Sequence, residues 1–134
     1  METYKLPSEL KKQLRKIGVI AVYLFGSRAK GKIGALSDYD IGILLKNNVP
    51  DKKFFNIKLK LIQDFSLFFK TMKIDVVILN KATTLLATNI INEGCLLFDA
   101  MHEQRIAFET KTTMKYLDRL PYERRHLDYL TASV

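Results

Sequence analysis

The chain has 134 residues, 48% of them hydrophobic and 27% charged, with six glycines and three prolines. That is the size of one domain with one core, and it excludes low-complexity, collagen-like and multidomain organisation. Lysine and arginine outnumber aspartate and glutamate by 22 to 14, a net charge of +8. The excess falls in residues 1–67 and suits an anionic partner: nucleotide phosphates, nucleic acid or an acidic protein. Apolar runs such as Val19–Phe25 fall far short of the ~20 residues of a membrane span. Met1–Lys5 holds no signal-peptide apolar segment, and Cys95 is the single cysteine, so a cytoplasmic location is expected.

Pro7-Ser8-Glu9 reads as a helix start, Leu10, Leu14 and Ile17 have helical spacing, and Gly18 is a stop. Val19–Phe25 is β-branched and aromatic, hence a buried strand, broken by Gly26-Ser27. A short helix is expected at Arg28–Lys32 and a second strand at Asp38–Leu45. Asp51 is expected to cap a long helix to about Lys70, with Phe54, Phe55, Phe65, Phe68 and Phe69 in the core. Lys73–Leu79 is a third strand, Thr83 or Thr84 opens a helix that Gly94 stops, and Cys95–Phe98 is a short edge strand. Residues 101–119 are helical, and Pro121 is expected to break or restart the helix. Tyr116 and Leu117 are expected to pack in the core with Leu120, Leu127 and Leu130. The whole, residues 1–134, is predicted as a single α/β (α+β) domain with a small mixed sheet flanked by helices and a C-terminal helical segment at about 101–130.

Strand alternation points Asp38 and Asp40 to one face, and Tyr39, Ile41, Ile43 and Leu45 to the other. Adjacent carboxylates repel unless a cation lies between them, and such hard oxygens suit Mg²⁺ or Mn²⁺. Asp75 stands alone as an acid in the otherwise apolar Ile74–Leu79. Three carboxylates can hold two cations for an in-line phosphoryl displacement. Gly26-Ser27, between a strand and a predicted helix, lets the backbone approach a phosphate, and Arg28, Lys30 and Lys32 raise the local positive potential.

The pattern Gly26-Ser27, ten residues, Asp38-Tyr39-Asp40, with Asp75 on a later strand, resembles the signature of the polymerase-β-like nucleotidyltransferase superfamily. The stretch from Phe25 to Leu45 looks like its minimal nucleotidyltransferase (MNT) branch, with Lys30 where many relatives carry arginine. The resemblance implies catalytic and metal-binding roles for Asp38, Asp40 and Asp75. Gly26, Ser27, Arg28 and Lys30 would bind the triphosphate of ATP beside about two Mg²⁺ ions. It further implies the antitoxin of a HEPN/MNT pair, which transfers AMP to a tyrosine hydroxyl of a cognate HEPN-type RNase toxin. No membrane and no direct nucleic-acid binding is expected. The alternatives are nucleotidyl transfer to a small hydroxylated molecule such as an aminoglycoside, and a non-catalytic antitoxin acting by binding.

Overall fold

Strand β1 (Val19–Phe25) is apolar throughout, and a strand of that kind needs cover on both faces. It receives it at the centre of a four-stranded mixed sheet of order β3-β2-β1-β4. Its antiparallel neighbours are β2 (Tyr39–Leu45) and β4 (Cys95–Asp99), and β3 (Ile74–Ile78) pairs in parallel with β2. The structure, a computed structural model, describes residues 4–26 and 39–132, with side chains described to residue 120. The expected helix at Arg28–Lys32 lies outside the described residues.

The helices are α1 (Ser8–Ile17), α2 (Phe54–Phe69), α3 (Thr84–Glu93) and α4 (His102–Ala132). One face of the sheet packs against α1 and α2, where Leu10, Leu14, Leu61 and Phe65 meet Val22, Leu24, Ile41, Ile43 and Val76. Full burial of a side chain such as Phe65 or Leu61 is worth about 1.5–3 kcal/mol. The other face packs against α3 and α4, with Ile90 and Ala87 over Ile20, Tyr23 and Leu44, and Phe108 at the margin. This is the α/β architecture expected from the sequence, a small mixed sheet flanked by helices. Among the described residues no helix is long and apolar enough to cross a membrane.

The expected boundaries recur within a residue or two, with four differences. Asp51 does not cap α2: it lies in a 3-10 turn, Asp51–Lys53, and its carboxylate pairs with Lys81. Phe55 is exposed in the first turn of α2, because it is turned about 100° around the helix from Leu61 and Phe65. Helix α4 runs through Pro121 without ending. Proline's fixed φ is helical, so the chain continues at the loss of one backbone hydrogen bond. Leu117 lies exposed on α4 instead of in the core. Thr83, by contrast, caps α3 as expected, accepting from the Leu86 N–H at 3.3 Å.

Candidate active site

Because Ile41, Ile43 and Leu45 enter the α1/α2 layer, Asp40, Gly42 and Leu44 point to the opposite face of β2. On β3, Val76 and Ile78 enter the same α1/α2 layer, which leaves Asp75 and Val77 on the α3/α4 side. The parallel ladder sets Asp40 directly beside Asp75. Two carboxylates from neighbouring strands, about 4.8 Å apart in a sheet, thus share one face near the strand starts. Asp40 is half-buried and Asp75 exposed. Helix α3 covers this face as far as Gly42, where a Cβ would lie 3.1 Å from Ile90 Cγ2. Asp40, two residues earlier, lies at the open margin.

Strand β1 ends at the same place. Phe25 pairs with Asp40, and Gly26 follows with φ +82°. A Cβ on Gly26 would collide with the Asp40 carboxylate, whose Cγ would be 3.2 Å away. Glycine is required here twice over, for the left-handed backbone and for the close approach. The turn expected to receive a phosphate therefore lies flush against one of the acids.

Asp38, Ser27, Arg28 and Lys30 lie outside the described residues. Of the predicted site residues, the structure brings together Asp40, Asp75 and Gly26. Among the described residues there is no group of three metal-ligating side chains. The donors present nonetheless fit a hard divalent cation: two carboxylates side by side on one face of the sheet, Asp40 and Asp75.

Sequence reading missed a polar chain beneath α4. The Tyr23 hydroxyl, on a nearly buried side chain, donates to Glu109 Oε2 at 3.2 Å. Arg105 donates to the same oxygen at 2.6 Å and to Asp99 Oδ2 at 3.0 Å. His102 Nδ1 lies 3.1 Å from Asp99 Oδ2 and 3.0 Å from Arg105 Nη2, so one tautomer donates to the carboxylate and the other accepts from the guanidinium. Burial and the Glu109 carboxylate push the Tyr23 phenol well above its ordinary range. Burial opposes the charge on Asp99, but the hydrogen bonds from His102 and Arg105 outweigh it and hold that carboxyl low. The i,i+4 spacing of Arg105 and Glu109 was the available signal; their joint reach to β1 and β4 depends on how α4 docks.

Several solved structures share the fold. A toxin–antitoxin complex with AMP-PNP matches with a TM-score of 0.70 and 24% identity over 93% of this chain and 99% of that chain. A complex of a tri-AMPylated Shewanella oneidensis HEPN toxin with an MNT antitoxin matches at 0.64 and 22% identity, over 92% and 93%. The MntA–HepT toxin–antitoxin complex matches at 0.61 and 19% identity, over 93% and 99%. No curated protein sequence matches the chain. The family described as polymerase beta, nucleotidyltransferase matches residues 8–103, which hold β1, β2, β3 and both described acids. Spanning well over half of the sequence, that match establishes that the chain belongs to the polymerase beta nucleotidyltransferase family.

Proposed function

We propose that this protein is a Mg²⁺-dependent adenylyltransferase. It moves AMP from ATP to a tyrosine hydroxyl of a HEPN-type RNase toxin, and so neutralises it as a cytoplasmic antitoxin. The observation that carries the reading is the register match of Asp40 and Asp75, with Gly26 flush against Asp40. Family membership supplies the reaction class. Structures of the same fold described as containing AMP-PNP, or a tri-AMPylated HEPN toxin, support the nucleotide and the acceptor.

In this reading the whole chain works as one minimal domain, with α4 as its C-terminal segment. Asp38 and Asp40 would hold about two Mg²⁺ ions and Asp75 one of them, an arrangement usual for nucleotidyl transfer. When bound, the cations supply charge neutralisation on the triphosphate and a lowered acceptor pKa. Gly26, Ser27, Arg28 and Lys30 bind and orient the triphosphate. The tyrosine oxygen forms a bond to the α-phosphorus as the bond to the β-phosphate bridging oxygen breaks. Pyrophosphate leaves, and the phenolic proton passes towards Asp75. Little else is asked of the protein, because this chemistry is governed by positioning and charge.

The test is incubation with ATP, Mg²⁺ and a purified HEPN-type toxin, followed by peptide mass spectrometry. AMP on a tyrosine of the partner, with loss of its RNase activity, is the expected result. Inhibition in a tight complex without modification would mean an antitoxin that acts by binding alone.

A further inference from the structure

A cleft between α4 and the sheet, at the end away from the acids, has no part in the proposed transfer. It encloses about 380 Å³, within the range of small-molecule sites. Its floor is apolar: Ile20 and Leu44 are buried, and Phe108 of α4 is half-buried beside them. Polar side chains surround that floor. Gln104, Lys111, Thr112 and Lys115 come from α4, and Asn47 follows β2. Asn80 closes one side, its amide spent on the Leu45 backbone, which it meets at 2.9 Å in both directions.

The other polar groups have no protein partner. Among the described residues, neither Lys111 nor Lys115 forms an ion pair, and the amides of Asn47 and Gln104 take no hydrogen bond. Thr112 is the sharpest case. It is only 6% exposed and lines the cleft, yet its hydroxyl has no hydrogen bond among the described residues. A threonine inside a helix otherwise turns its hydroxyl to solvent or back to the carbonyl of the preceding turn. A buried hydroxyl without a partner is costly, and one facing a cavity is poised for a ligand.

Charge narrows the choice of ligand. No acid lines the cleft. Of the acids around it, Asp51 pairs with Lys81 and Glu109 with Arg105, while Glu103 and Asp118 of α4 do not reach its lining. Lys111 and Lys115 stand one turn apart on the same side of α4, so they repel a metal ion and attract an anion. A phosphate group suits them, with nearly two negative charges and three acceptor oxygens for the ammonium groups and the hydroxyl. The Phe108 ring beside Ile20 and Leu44 suits a flat ring, and the free amides can meet that ring's donors and acceptors.

The cleft is separate from the catalytic margin. Leu44 is four residues along β2 from Asp40, about 13 Å at strand spacing. Ile90 of α3 covers Gly42 in between. We propose that this cleft is a second ligand site, which binds a small phosphorylated molecule with a flat ring. The phosphate lies on Lys111, Thr112 and Lys115, and the ring on Phe108. A nucleoside monophosphate is the simplest such molecule. This assignment does not depend on the transfer reaction.

The test is NMR titration of the isotope-labelled full chain with AMP in EDTA, beside adenosine and inorganic phosphate. AMP should shift the amide signals of Asn47, Phe108, Lys111 and Thr112. Lys111→Gln combined with Lys115→Gln should weaken AMP about tenfold or more, the scale of lost charge-assisted hydrogen bonds. Both lysines are exposed, and circular dichroism verifies that the fold is kept. Thr112→Val keeps the side chain's shape, and should weaken AMP about threefold or more without lowering the melting temperature. Adenosine and inorganic phosphate should each bind more weakly than AMP. No AMP binding by the wild type overturns the site. Shifts confined to Gly26, Asp40 and Asp75, or binding that Asp40→Asn abolishes and the lysine pair does not, overturns it by placing AMP at the acids. Inorganic phosphate bound as tightly as AMP overturns the ring contact, and adenosine bound as tightly as AMP overturns the phosphate contact.

Discussion

Replacing Asp40 or Asp75 by asparagine keeps the shape of each side chain and removes its charge. For Asp40→Asn, transfer should fall about a hundredfold or more, because charge neutralisation carries this chemistry. The melting temperature should hold or rise, since one of two neighbouring like charges has gone. Asp75→Asn should lower kcat far more than nucleotide affinity; an equal loss of both would make Asp75 an anchor with no part in the acceptor step. Gly26→Ala sets a methyl group against the Asp40 carboxylate and strains a left-handed backbone by about 1–2 kcal/mol. Thermal melts and steady-state rates should show a small loss of stability beside at least about a tenfold loss of activity, the scale of a misplaced reacting group. The sequence singled out these residues as candidates but did not show how they meet. Alternation along β2 and the lone acid of β3 mark Asp40 and Asp75. The contact of Gly26 with Asp40 follows from the β1–β2 register across residues 27–38, which no local pattern encodes.

Among the elements, β1 was the most legible, because an unbroken apolar run bounded by glycines has few other readings. Helix α2 was legible in length and less so in facing: five phenylalanines in sixteen residues hide which side is the core, and Phe55 proved to be outward. Pro121 misled because proline's fixed φ is itself helical, and α4 runs on through it. Helix α4 is held to the sheet by Asp99 at the end of β4, through Arg105 and His102. The Asp99 carboxyl is held below its ordinary 3.8, so its pairing stabilises the fold above that pH and is lost as pH falls through the depressed value. Asp99→Asn should therefore lower the melting temperature at pH 7, and the gap to wild type should close as pH drops below about 4, the ordinary carboxylate range. A gap independent of pH would mean that Asp99 acts through shape and not charge.

At the scale of the molecule, charge and function lie on the same side of the story. The basic excess in residues 1–67 suits an anionic partner. The predicted phosphate turn, Gly26-Ser27, lies in that same half of the sequence. Fold class followed from the alternation of elements, and the family from the spacing of Gly26 and the acids. Exposed apolar positions were not legible, because an apolar helix position looks alike whether it faces a core or solvent; Phe55 and Leu117 are both cases of this.

The most direct measurement compares ATP labelled at the α-phosphate with ATP labelled at the γ-phosphate, in parallel reactions with Mg²⁺ and the HEPN-type protein. Label from the α-position should appear on a partner tyrosine, label from the γ-position should leave in pyrophosphate, and Asp40→Asn should cut the first about a hundredfold or more. Transfer of the γ-label to the partner, or α-label incorporation that persists undiminished in Asp40→Asn, would contradict the account.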